Sequence, residues 1–118
     1  MKNKAFYHRL GFALAGIASA WSSEKSFRVQ ALAALAVVAF LLWHRPPALW
    51  WAVLLMNCGM VMAAELFNTA LEHTLDHLSP EIHPAVRIAK DCCAGAVLLL
   101  SIASACTFVA CIAATGFS

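Results

Sequence analysis

Three long apolar runs, at residues 29–43, 47–71 and 92–117, dominate the chain, separated by a short turn and by a longer polar connection. A helix needs about 20 apolar residues to cross a bilayer core, which the second and third runs supply. The first run is short, but it extends backward through Phe27 if Arg28 snorkels its guanidinium to the surface. The pattern therefore predicts membrane-spanning helices over 27–43, 47–71 and 92–117. His44-Arg45-Pro46-Pro47 reads as a helix-breaking turn. Trp43, Trp50 and Trp51 flank it, as expected of amphipathic rings at a membrane interface. The first two spans should thus form an antiparallel hairpin.

Ahead of the first span, Phe6, Leu10, Leu14, Ile17 and Trp21 recur at spacings of four and three, while Lys2, Lys4, His8 and Arg9 cluster at the start. One-sided periodicity of this kind predicts an amphipathic helix lying on the membrane surface, assigned to residues 1–26. A cleaved signal peptide is the rival reading of a basic start followed by residues 11–20, but that stretch is only weakly apolar. In the connection between the second and third spans, Ser79-Pro80-Glu81 resembles a helix start, with Ser79 as cap and Pro80 in the first position.

Composition agrees with the pattern. The 118 residues are 63% hydrophobic and 12% charged, with a mean hydropathy of +0.79, whereas soluble domains carry about 25% charged residues. The expected fold class is all-α: an integral membrane protein forming one domain over residues 1–118, with an amphipathic surface helix and three transmembrane helices. Three helices offer few faces for shielding polar groups from lipid, so oligomerisation is expected. Lys2, Lys4, Arg9, Lys25 and Arg28 precede the first span, Arg87 and Lys90 lie between the second and third, and Arg45 stands alone in the hairpin turn. By the positive-inside rule the N-terminus is cytoplasmic. No nucleic-acid partner is expected.

The candidate chemistry lies at the end of the second apolar run. Glu65, Asn68, Glu72 and Asp76 are spaced three, four and four apart, so at about 100° per residue they share one stripe of a helix. Carboxylates within or at the edge of a bilayer are costly to desolvate and are usually paired, hydrated or metal-bound. A plainer role for Glu65 is helix packing against Asn57 or Asn68. The stripe nevertheless adjoins Arg87, Lys90 and Asp91, and acids beside cations have the parts for a divalent cation and a polyphosphate. His73 and His77, four apart, imitate half of a zinc site, but spacing fixes no third ligand. The five cysteines follow no metal or redox spacing and read as small packing residues.

The run Glu65-Leu-Phe-Asn-Thr-Ala-Leu-Glu72, with Asp76, Ser79-Pro80-Glu81, His83-Pro84 and Ala89-Lys90-Asp91, resembles the prokaryotic diacylglycerol kinase family. Gly16, Trp21, Glu24 and Phe27-Arg28 extend the likeness upstream. The resemblance implies a homotrimer in the bacterial cytoplasmic membrane that uses ATP and Mg²⁺ to phosphorylate a membrane lipid alcohol. Carried over by position, Glu65 matches the catalytic base and Glu24 and Glu72 match the metal-binding carboxylates. Asn68, Lys90 and Asp91 match nucleotide and active-site contacts. The family's substrate-contacting Arg has no clear counterpart near the start, where Lys4 and Arg9 are the available cations.

The residue types suit that role. Phosphoryl transfer needs positioning and charge neutralisation more than covalent chemistry, and Mg²⁺ takes one or two acids plus phosphate oxygens. No Gly-rich loop ending in Gly-Lys-Ser/Thr is present, so ATP would be held by acids, metal and cations. Diacylglycerol is the first substrate expected. Undecaprenol is the alternative, because Asn68-Thr69-Ala70, the segment Ser79 to Pro84 and Ala94-Gly95-Ala96-Val97-Leu98 look closer to the undecaprenol-kinase branch. The non-enzymatic alternative is a membrane scaffold or ion-conducting subunit, although pore acids would span the thickness rather than gather at one face.

Overall fold

The structure, a computed structural model, describes residues 5–78 and 83–116. It consists of helices α1 (Phe6–Ser23), α2 (Lys25–His44), α3 (Ala48–Leu78) and α4 (Pro84–Thr115). The last three are long and apolar enough to cross a membrane. α3 is the central element, packing against α1, α2 and α4.

The helices outrun the apolar runs that announce them. α3 continues through Glu72, Asp76 and His77 to Leu78, and α4 already begins at Pro84, eight residues before the third apolar run. Hydropathy follows the lipid boundary, whereas helical hydrogen bonding continues until the backbone is interrupted, and 72–78 contains neither Pro nor Gly. The 31 and 32 residues of α3 and α4 amount to roughly 47 Å of helix at 1.5 Å per residue. A hydrocarbon core is about 30 Å thick, so both helices are longer than a crossing requires. α4 starts with Pro84 in the first position, and the ring Nδ1 of His83 accepts from the Ala85 N–H at 3.1 Å. The expected cap at Ser79 and Pro80 lies outside the described residues.

α1 and α2 are separated by one residue. Glu24 adopts φ −119° and ψ 111°, an extended conformation that redirects the chain. Arg28 folds back over this corner, its Nη1 donating to the carbonyls of Trp21 at 2.7 Å and Ser22 at 3.4 Å. It thereby satisfies carbonyls that the end of α1 leaves without partners. The periodic apolar residues Phe6, Leu10, Leu14, Ile17 and Trp21 are 43–77% exposed, so this face of α1 is free to meet lipid.

At the other end, Leu41, Leu54 and Cys111 form a buried cluster packed by Val37, Phe40, Trp50, Trp51 and Phe108. Phe40 meets Phe108 with ring centroids 4.7 Å apart and stacks on His44 at 5.0 Å. His44 Nε2 lies 2.7 Å from the Thr115 hydroxyl, which itself donates to the Cys111 carbonyl. Thr115 thus accepts from His44, tying the end of α2 to the end of α4. The hairpin turn follows at Arg45, whose left-handed backbone (φ 52°, ψ 56°) ends α2 while its N–H bonds the Leu41 carbonyl at 2.9 Å.

Candidate active site

Glu65 is 3% exposed and is the one buried charged residue among the described residues. Ser26, in the first turn of α2, donates to its Oε2 at 3.1 Å. Sequence reasoning offered Asn57 or Asn68 across an interface as packing partners for Glu65; within the chain its partner is Ser26. No spacing rule could have found that bond, because it joins residues on different helices and depends on how α2 is rotated against α3.

Seven residues along α3, roughly 10 Å up the axis, Glu72 Oε1 accepts from Asn68 Nδ2 at 3.2 Å. This is the i, i+4 contact that the stripe predicts. The Asn68 Oδ1 is buried and has no hydrogen-bond partner among the described residues. On the adjoining turn, His73 Nε2 approaches Glu24 Oε1 at 3.8 Å, an ion pair when the imidazole is protonated. That contact draws the α1–α2 corner onto the part of α3 that carries Glu72. Higher still, Lys90 of α4 pairs with Asp76 of α3, while Asp91 is exposed beside it.

α3 therefore serves as a post along which other elements are attached at successive heights. Ser26 meets Glu65, the Glu24 corner meets His73, and Lys90 meets Asp76. Between α1 and α3 lies an apolar groove of about 400 Å³, bordered by Phe12, Gly16 and Ile17 on one side and Leu66, Ala70 and His73 on the other. Its α3 wall is Leu66, Thr69, Ala70 and His73, of which Leu66 follows Glu65 and His73 follows Glu72 in the chain.

Among the described residues no three His, Cys, Asp or Glu side chains converge into a ready-made metal cluster. Mg²⁺ does not require one, since it keeps several waters and takes one or two carboxylates alongside phosphate oxygens. The unpartnered Asn68 oxygen and the Glu72 carboxylate, one turn apart on α3, are hard oxygen donors of the kind this ion takes, and Glu24 lies against His73, the residue after Glu72.

The chain has relatives among known proteins by sequence. It is 38% identical over 79% of its length to a diacylglycerol kinase of Synechocystis, of which it spans 54%. It is 34% identical to the undecaprenol kinase of Bacillus subtilis, covering 86% of this chain and 79% of that one. With the diacylglycerol kinase of Escherichia coli it shares 31% identity over 83% of this chain and 80% of the other. The family model for prokaryotic diacylglycerol kinase matches residues 11–112. A match of that extent, carried through α1, the three long helices and the acidic stripe on α3, establishes that the chain belongs to the prokaryotic diacylglycerol kinase family.

Proposed function

We propose that the protein transfers the γ-phosphoryl group of ATP to the hydroxyl of a membrane lipid, with diacylglycerol as substrate and phosphatidic acid as product. The observation that carries this reading is the buried Glu65 carboxylate on the same helix stripe as Glu72, with Lys90 tethered to Asp76 higher on that helix. The groove receives an acyl chain and brings the lipid hydroxyl to Glu65. Glu65 accepts the hydroxyl proton as the lipid oxygen bonds to the γ-phosphorus, and the bond from that phosphorus to the ADP oxygen breaks. Burial excludes water, the competing acceptor.

Glu72, Glu24 and the Asn68 oxygen would hold Mg²⁺, which would supply neutralisation of phosphate charge. Lys90 supplies a compact positive charge to the phosphates, held in place by Asp76. Asn68 and Asp91 complete the nucleotide contacts. The active assembly is a homotrimer in the bacterial cytoplasmic membrane, with the N-terminus and the polar ends of α3 and α4 in the cytoplasm. The Lys and Arg distribution supports that orientation. Few side chains are fully buried within one chain, which supports association with further copies.

Undecaprenol is the second reading, supported by the 34% identity to an undecaprenol kinase over 79% of its length. The experiment is transfer of radiolabelled phosphate from Mg-ATP by the purified protein, with diacylglycerol and undecaprenol supplied separately in mixed micelles. Preference for either lipid assigns the substrate. No transfer to either by a folded sample would overturn the kinase reading and return the acids to an ion-binding or scaffold role.

A further inference from the structure

We propose that Ser26 is a positioning residue for Glu65, fixing one carboxylate oxygen so that the other faces the lipid hydroxyl. The inference deepens the proposed function and rests on Glu65 being the base.

A carboxylate held only by its own side chain rotates about its last bond, because that torsion is broad. Ser26 Oγ donates to Oε2 at 3.1 Å, and Oε1 makes no side-chain hydrogen bond among the described residues. The two oxygens of Glu65 are thus made unequal, one occupied and one available. The donor is also of the right kind. A lysine or arginine at this place would form an ion pair and weaken the carboxylate as a proton acceptor. A neutral hydroxyl orients the group while leaving its charge intact.

The surroundings hold Ser26 in place. It occupies the second position of α2, and its neighbour Phe27 is 2% exposed, which fixes the rotation of that turn against the bundle. Arg28, one residue further, is anchored on the carbonyls of Trp21 and Ser22. The N-terminal end of α2, where the aligned peptide dipoles are positive, favours a negative group. Glu24, the residue preceding α2, makes no side-chain cap bond there. The Glu65 carboxylate, reached through Ser26, therefore sits where a buried negative charge is best tolerated.

A simple packing role for the Ser26 bond predicts a different outcome from a positioning role, and steady-state kinetics of the full-length protein in mixed micelles separates them. Ser26→Ala should lower kcat about ten-fold, the scale of one hydrogen bond to a charged group. The KM values for Mg-ATP and lipid should stay within about two-fold. Ser26→Thr, which restores the hydroxyl, should recover most of the loss. The inference fails if Ser26→Ala keeps more than half of the wild-type kcat, if Ser26→Thr is no better than Ser26→Ala, or if the loss appears in KM or in the yield of folded protein. Glu65→Gln measured in parallel keeps the two claims apart. If it is inactive while Ser26→Ala is normal, only the inference falls. If Glu65→Gln is itself active, the base assignment falls and takes the inference with it.

Discussion

The two ends of the bundle are built on opposite plans. At the hairpin end, apolar side chains close tightly around Leu41, Leu54 and Cys111, and the one polar contact of note, His44 to Thr115, fastens two helix termini together. At the other end, side chains meet in isolated polar pairs, Ser26 with Glu65, Glu24 with His73, Asp76 with Lys90, and much of the surface is open. The difference teaches that packing and chemistry have been kept apart. The hairpin end supplies stability away from the acids, and the polar end holds the reactive groups around the buried side chains of Ala20 and Phe27.

Substitutions at one end should therefore alter stability alone and at the other activity alone. The largest effect is expected at Glu65. Glu65→Gln should reduce phosphoryl transfer by about 10²–10⁴-fold, the usual loss of a general base, with an unchanged unfolding midpoint in detergent. Next is Leu54→Ala, which empties part of the buried cluster and should cost about 2–4 kcal/mol of stability. It is read as a lowered midpoint with normal specific activity in the folded fraction. A clear fall in specific activity would mean that the two ends are mechanically linked. Smaller again is Asp76→Asn. It frees Lys90 without burying an unpaired charge, because the pair is substantially exposed, so the KM for Mg-ATP should rise by only about two- to five-fold. The smallest is Arg45→Gly. A non-glycine residue in the left-handed region carries a backbone penalty of about 1–2 kcal/mol, partly offset by the greater freedom of glycine in the unfolded chain. The variant should gain about 0.5–1 kcal/mol in stability and leave kcat untouched.

What the sequence disclosed, and what it withheld, follows from the kind of signal involved. Apolar runs and Trp placement revealed the three long helices and the hairpin turn, because lipid imposes a compositional rule on whole segments. The acidic stripe was equally visible, since it lies on one helix and needs only the helical repeat. The apolar runs alone stop short of the helix ends at Leu78 and Pro84, because hydropathy ends where lipid ends, and it was the stripe through Asp76 and the helix-start signal in the polar connection that pointed beyond them. Ser26 escaped notice for another reason. It belongs to the stripe in space but to α2 in sequence, and its role depends on the rotation that Phe27 imposes. His73 drew attention as half of a metal pair with His77, whereas its neighbour in the structure is Glu24 across the α1–α2 corner.

The length of α3 carries one more consequence. From Glu65 to Asp76 the helix climbs eleven residues, roughly 16 Å, from a buried carboxylate to an exposed salt bridge. A reaction between an oil-soluble and a water-soluble partner is ordinarily confined to the chance meetings of the two phases. On the proposed function, this stretch of helix acts as a fixed phase-transfer rod. Each reactant is received at the depth where it is already soluble, and neither has to be drawn far into the other's solvent before they meet.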